Sequence, residues 1–135
     1  MKNIKTVLAR CTLFSGFSES AIDDLEGIAR IRRFEANELI YSKGSAISTL
    51  NIIASGVVRI SSVNPAGREA TLIMFSAGTW FGDSVFSPGM RRVYGATAHE
   101  AVTLIEIPGE AFRELMATYP EGYPVILDMV SRRLW

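Results

Sequence analysis

The sequence predicts a mainly β domain with flanking α-helices, an eight-stranded β-roll of the jelly-roll kind. Two observations carry this. From residue 33 onward, short apolar pieces alternate with turn signals, with Gly44, Gly56 and Gly78 among them. Many short strands divided by glycine turns suit a sandwich or jelly roll. On either side of this region the apolar residues recur three and four apart, the spacing of a helix face. The chain of 135 residues reads as one domain, long enough to bury a core. Its segments are an N-terminal helical part at 1–33, the β-roll at 34–107 and closing helices at 108–135.

The first helix is expected over residues 18–32. Ser18 or Ser20 can cap it, and Asp23, Asp24 and Glu26 suit the positive end of its dipole. Ile22, Leu25, Ile28 and Ala29 give it a buried face. Leu13, Phe14 and Phe17 form an apolar lead-in that packs on the sheet. Strand pieces follow at Phe34, 39–41, 49–54 and 57–63. Asn64-Pro65-Ala66-Gly67 is a hairpin turn, and 68–75 is the return strand. Two further pieces end near Phe81 and begin near Arg92, and the last strand covers 101–107. Residues 109–119 then carry Phe112, Leu115, Met116 and Tyr119 as a helical stripe that Pro120 stops. Pro124 suits the first turn of a final helix, with Ile126, Met129, Val130 and Leu134 on one side.

Composition narrows the function classes. The 14 basic and 14 acidic residues balance, so no excess of positive charge marks a DNA-binding surface. Arg30, Arg32 and Arg33, and again Arg132 and Arg133, read as solvated faces. No apolar run approaches the ~20 residues that span a bilayer, and no membrane contact is expected. The one cysteine, Cys11, cannot form an internal disulfide, which suits a reducing cytoplasm. His99 is the one histidine and reads as an exposed turn residue, with haem or metal ligation the alternative. Cupin-type metal clusters and catalytic triads lack their histidines, and no Gly-x-Ser-x-Gly is present. No catalytic residue, metal site or enzyme activity is expected.

The stretch GTWFGDSVFSPGMRRVYGATA, residues 78–98, concentrates the chemistry. Gly82 lets the backbone approach a ligand closely, having no Cβ, and Asp83 can accept hydrogen bonds from hydroxyl groups. The chain returns through Pro88-Gly89 to Arg91 and Arg92. A guanidinium facing a turn of free N–H groups is a clamp for phosphate. The bland reading pairs one arginine with Asp83 or Glu69 and leaves nothing bound. Trp80 fits a strand or corner better than a base-stacking role.

The order Phe81-Gly82-Asp83, a loop, then Arg92-Val93-Tyr94-Gly95-Ala96-Thr97-Ala98 resembles the phosphate-binding cassette of cyclic-nucleotide-binding domains. The form is that of the Crp/Fnr family of bacterial transcription regulators, and the likeness runs from about Leu13 to the C-terminus. The resemblance implies a ligand site of Phe81, Gly82, Asp83, Ser84, Arg92 and Val93. Arg92 would hold the cyclic phosphate and Asp83 the ribose 2′-OH, with cAMP or cGMP as candidate effector. Two positions depart from the family pattern: Asp83 stands for a glutamate, and Val93 for a hydroxyl residue. Losing one hydrogen bond to a charged group weakens binding by about tenfold or more.

In that family the last helix grows long, pairs with its twin and leads to a helix-turn-helix domain. Here the helical pattern breaks off at Trp135. The resemblance implies a sensor domain without its helix-turn-helix, homodimeric in the full-length protein, that touches DNA only through the missing domain. A small-molecule effector is the implied partner. Two alternatives stand beside this: a degenerate pocket, to which Val93 and the bulky Tyr94 point, and a regulatory domain of an enzyme or channel.

Overall fold

The computed structural model describes residues 3–44, 49–82 and 94–132. Helix α1, Ile4–Arg10, opens the chain; a short 3-10 turn, Thr12–Phe14, leads to α2, Glu19–Ile28. Eight strands follow among the described residues: β1 Arg30–Phe34, β2 Leu39–Tyr41, β3 Thr49–Ser55, β4 Val58–Val63, β5 Glu69–Phe75, β6 Trp80–Phe81, β7 Gly95–Ala98 and β8 Val102–Pro108. Helix α3, Gly109–Thr118, a 3-10 turn at Pro120–Gly122 and helix α4, Tyr123–Arg132, complete the order. The strands make two four-stranded sheets, β1-β8-β3-β6 and β2-β7-β4-β5, with every pairing antiparallel. This is the expected jelly roll.

Pairing explains the register. Strand β3 lies between β6 and β8, with Ile52 opposite both Trp80 and Ile105. Leu50, Ile52 and Ala54 turn one way and join Leu13, Phe14, Leu25, Trp80, Ile105 and Phe112 in a core between the first sheet and the helices. Ile53 turns the other way and joins Phe34, Val58, Ile60, Phe81, Ala96, Ala98 and Leu104 between the two sheets. Fully burying one of these large side chains stabilises the fold by about 1.5–3 kcal/mol. Six successive β3 residues are therefore buried, and the strand shows no alternation.

Local chemistry sets the ends of the elements. Ser18 caps α2, its side-chain oxygen accepting from the Ala21 N–H at 3.2 Å. The helix ends at Ile28, earlier than its apolar spacing suggested, and Arg30 already lies opposite Glu106 in β1. Beyond Ile28 the sequence Arg-Ile-Arg-Arg-Phe offers a period of two to the edge of β8 and no further helical stripe. The β4–β5 hairpin closes on Asn64, whose carbonyl accepts from Gly67 and whose side chain accepts from Ala66 and Arg68. Helix α1, which sequence periodicity did not reveal, is capped by Asn3 on the Lys5 N–H at 2.8 Å. It is tied to α2 by Lys5 and Asp23 at 2.6 Å. That hydrogen bond raises the Lys5 pKa above its usual value.

Candidate functional site

The short strand β6 ends at Phe81, on the edge of the first sheet, and β7 resumes inside the second. Residues 83–93 thus connect one sheet to the other. Phe81 is buried between the sheets, 6.0 Å from the Tyr41 ring. Gly82 follows with φ +90°, and a Cβ there would lie 2.6 Å from the Thr49 carbonyl oxygen. Only glycine tolerates both conditions, because the left-handed backbone and the close approach each exclude a side chain. The close approach described at Gly82 is to β3, through the Thr49 carbonyl. Of the six expected site residues, Phe81 and Gly82 come together here. Asp83, Ser84, Arg92 and Val93 lie outside the described residues, as does Arg91.

On the β7 side the residues are small. Ala96 and Ala98 are fully buried between the sheets, and Tyr94 packs partly buried against the same cluster. Beneath Gly82, the inner face of the first sheet carries a polar row that the sequence did not disclose. Arg30, Glu106, Asn51 and Phe81 lie directly opposite one another across β1, β8, β3 and β6. Glu106 is buried and held by two exposed arginines, Arg30 at 2.6 Å and Arg32 at 3.3 Å. These two arginines lie on the solvated face expected of them and are also ion-pair partners of Glu106. Arg32 also lies 5.0 Å over the Phe34 ring. Asn51 is 1 % exposed; its Nδ2 donates to Thr49 Oγ1 at 3.4 Å, and its Oδ1 finds no partner among the described residues. The one signal in the sequence was an amide inside the apolar run Thr-Leu-Asn-Ile-Ile.

Elsewhere, the hydrogen-bonding groups suit structural roles. His99 is exposed, its Nδ1 3.5 Å from Arg59, and Glu69 pairs with Arg59 at 3.0 Å. Trp80 is buried under the helices. An open groove between α2 and α3 is lined by Asp23, Asp24, Glu114 and Tyr119, the wrong sign for a phosphate. Tyr119 donates to Asp24 there at 2.5 Å, and this bond raises its pKa above the usual phenol value.

Comparison with known proteins decides the family. The cyclic nucleotide-binding domain model matches residues 31–119, from β1 to the end of α3. The chain belongs to the cyclic nucleotide-binding domain family. It is 33 % identical, over 95 % of its length, to a CRP-like cAMP-activated global transcriptional regulator of Mycobacterium tuberculosis, and spans 57 % of that protein. It is 28 % identical to a global nitrogen regulator of Synechococcus elongatus, over 78 % of this chain and 48 % of the other. The crystal structure of Thermus thermophilus catabolite activator protein superposes with a TM-score of 0.80 at 26 % identity, covering 90 % of this chain and 57 % of that one. The chain thus spans about half the length of the regulators it matches. A cyclic nucleotide-binding domain related to CRP-like regulators implies a small-molecule effector. No helix among the described residues is long and apolar enough to cross a membrane.

Proposed function

We propose that this chain is the ligand-sensing domain of a Crp/Fnr-type transcription regulator, working in the cytoplasm as part of a homodimer. Its effector would be cAMP, cGMP or a related phosphate, and its output the orientation of a DNA-binding domain in another part of the protein. The observation that carries this reading is Gly82, held at φ +90° against the Thr49 backbone at the head of residues 83–93. That stretch carries Asp83 and Arg92 at the spacing of a phosphate-binding cassette. In this reading Arg92 pairs with the cyclic phosphate, a charge-assisted contact of the strong kind. Asp83 accepts from the sugar hydroxyl, while Phe81, Gly82, Ser84 and Val93 line the turn. Ligand binding would bias a two-state equilibrium in proportion to its differential affinity for the two states. No residue is assigned a catalytic role.

A second reading, a degenerate pocket serving another effector or dimerisation alone, is favoured by Tyr94, whose ring packs against the inner cluster beside β7. Thermal unfolding with added cAMP, cGMP or 5′-AMP separates the two. The sensor reading expects a concentration-dependent rise in Tm with a cyclic nucleotide, since a ligand that binds only the folded state stabilises it. Arg92→Ala should remove the rise and Arg91→Ala should keep it. Equal losses in both variants, or no rise with either cyclic nucleotide, favour the degenerate pocket.

A further inference from the structure

A cavity of about 400 Å³ lies between helix α1 and the first sheet, and neither Gly82 nor the polar row lines it. One wall is a face of α1 and its cap. Asn3, Thr6, Val7 and Arg10 follow the i, i+3, i+4, i+7 spacing that puts side chains on one side of a helix. The other wall is Ile53 and Ala54 of β3, with Gly78 in the turn before β6. The Gly78 N–H donates to the Ile53 carbonyl and the Ile53 N–H to the Thr79 carbonyl, each at 2.9 Å, so the backbone groups of Ile53 are already matched. Gly78 has φ +91° with nothing within 4 Å of the position a Cβ would take, which leaves open space beside the turn. Ala54 belongs to the core that Val7 packs against, and the lining is mostly apolar. Its polar groups are those of α1. The Asn3 side-chain oxygen is committed to the Lys5 N–H. The Thr6 hydroxyl and the Arg10 guanidinium have no hydrogen bond or ion pair among the described residues. A cation in the last turn of α1 suits the helix dipole, yet that leaves the guanidinium N–H donors open.

We propose that this cavity is a second small-molecule site, which takes a monocarboxylate with a short apolar body. Its carboxylate would pair with Arg10 and its apolar part would lie against Val7, Ala54 and Gly78. The volume falls at the small end of ligand pockets, where a mostly apolar lining with few polar groups is usual. One guanidinium neutralises one negative charge, and its planar fork matches a carboxylate with two parallel N–H···O bonds. The Thr6 hydroxyl, one turn before Arg10 on the same face, can donate a third. A phosphate dianion calls for a second cation, and Arg10 is the one cation among the lining residues. A sugar would leave its hydroxyls against Val7 and Ala54 without partners. Helix α1 lies outside residues 31–119, which the family model matches, so this site is separate from the cyclic-nucleotide reading and does not depend on it.

The test is calorimetric titration of the whole chain with octanoate, and with 1-octanol as its neutral counterpart. It is run on the wild type, on Arg10→Gln and on Arg68→Gln, which removes an exposed arginine next to β5. Saturable binding of octanoate is expected, weakened about tenfold or more in Arg10→Gln by the loss of hydrogen bonds between charged groups, and unchanged in Arg68→Gln. The wild type should bind 1-octanol as weakly as Arg10→Gln binds octanoate. Equal loss in both arginine variants would mean diffuse attraction of an anion. Equal binding of octanoate and 1-octanol by the wild type would mean an apolar cleft alone. Either result overturns the proposal, as does the absence of saturable octanoate binding. Should Arg10→Gln fail to fold, the wild-type backbone amide resonances decide instead. Those of Thr6, Val7, Ala54 and Gly78 should move with octanoate, and shifts confined to other residues overturn the proposal.

Discussion

Replacing Gly82 by alanine puts the close approach of Gly82 to β3 under direct test. Two effects act on that methyl group. An L-residue held in the left-handed region costs about 1–2 kcal/mol. The new Cβ also falls 2.6 Å from the Thr49 carbonyl oxygen, a backbone atom of a strand paired on both sides. Overpacking of this kind costs about 1–3 kcal/mol more. Gly67 supplies the control, because it has φ +83° with nothing within 4 Å of its Cβ position. Gly67→Ala should therefore cost about 1 kcal/mol, the backbone term alone. Urea unfolding reads the difference, since Gly82→Ala should lower the midpoint by about 1–2 M for a domain of this size, against under about 1 M for Gly67→Ala. Equal midpoints for the two variants would refute the close packing of Gly82 on Thr49.

The Glu106 ion pairs should respond asymmetrically. Removing Arg30 and Arg32 together strands a buried carboxylate and should cost about 3 kcal/mol, whereas Glu106→Leu leaves two solvated guanidiniums and should cost under about 1 kcal/mol; equal losses in urea unfolding would contradict this. Stability should also fall at alkaline pH. Tyr119 and Lys5 both have pKa values raised in the folded state, by Asp24 and Asp23 respectively. Their contributions are complete below the ordinary pKa values and are lost as the pH climbs through the raised ones, above about pH 10. Unfolding midpoints followed from pH 8 to 11 should drop less in Tyr119→Phe combined with Lys5→Met; an unchanged slope would remove these two groups as its source.

The parts of the fold that were legible in the sequence are those where local chemistry decides. Asn64 to Gly67 closes the β4–β5 hairpin through its own side chain and a left-handed glycine, so the turn is written in four residues. Phe112, Leu115 and Met116 recur at helical spacing, and α3 buries all three. What stayed hidden depends on partners far along the chain. Arg30 and Arg32 looked like the tail of a helix because Glu106, the group that draws them into β1, lies more than seventy residues away. Helix α1 has one fully buried residue, Leu8, and gains its place from α2 across the Lys5–Asp23 bond, so no stripe announces it. Strand β3 is buried on both sides, and without alternation the sequence cannot say that Asn51 faces the space between the sheets. The site divides in the same way. Gly82 was marked by its place in the motif, while the polar row beneath it exists only once four strands are in register.

Calorimetric titration of the chain with cAMP and cGMP, run in parallel on Arg92→Ala, tests the sensor function most directly. A saturable heat of binding that disappears in Arg92→Ala, with the variant still folded, is the predicted result. No heat up to millimolar concentrations of either nucleotide, or equal binding by the variant, would contradict it and leave a cyclic nucleotide-binding fold that serves another ligand.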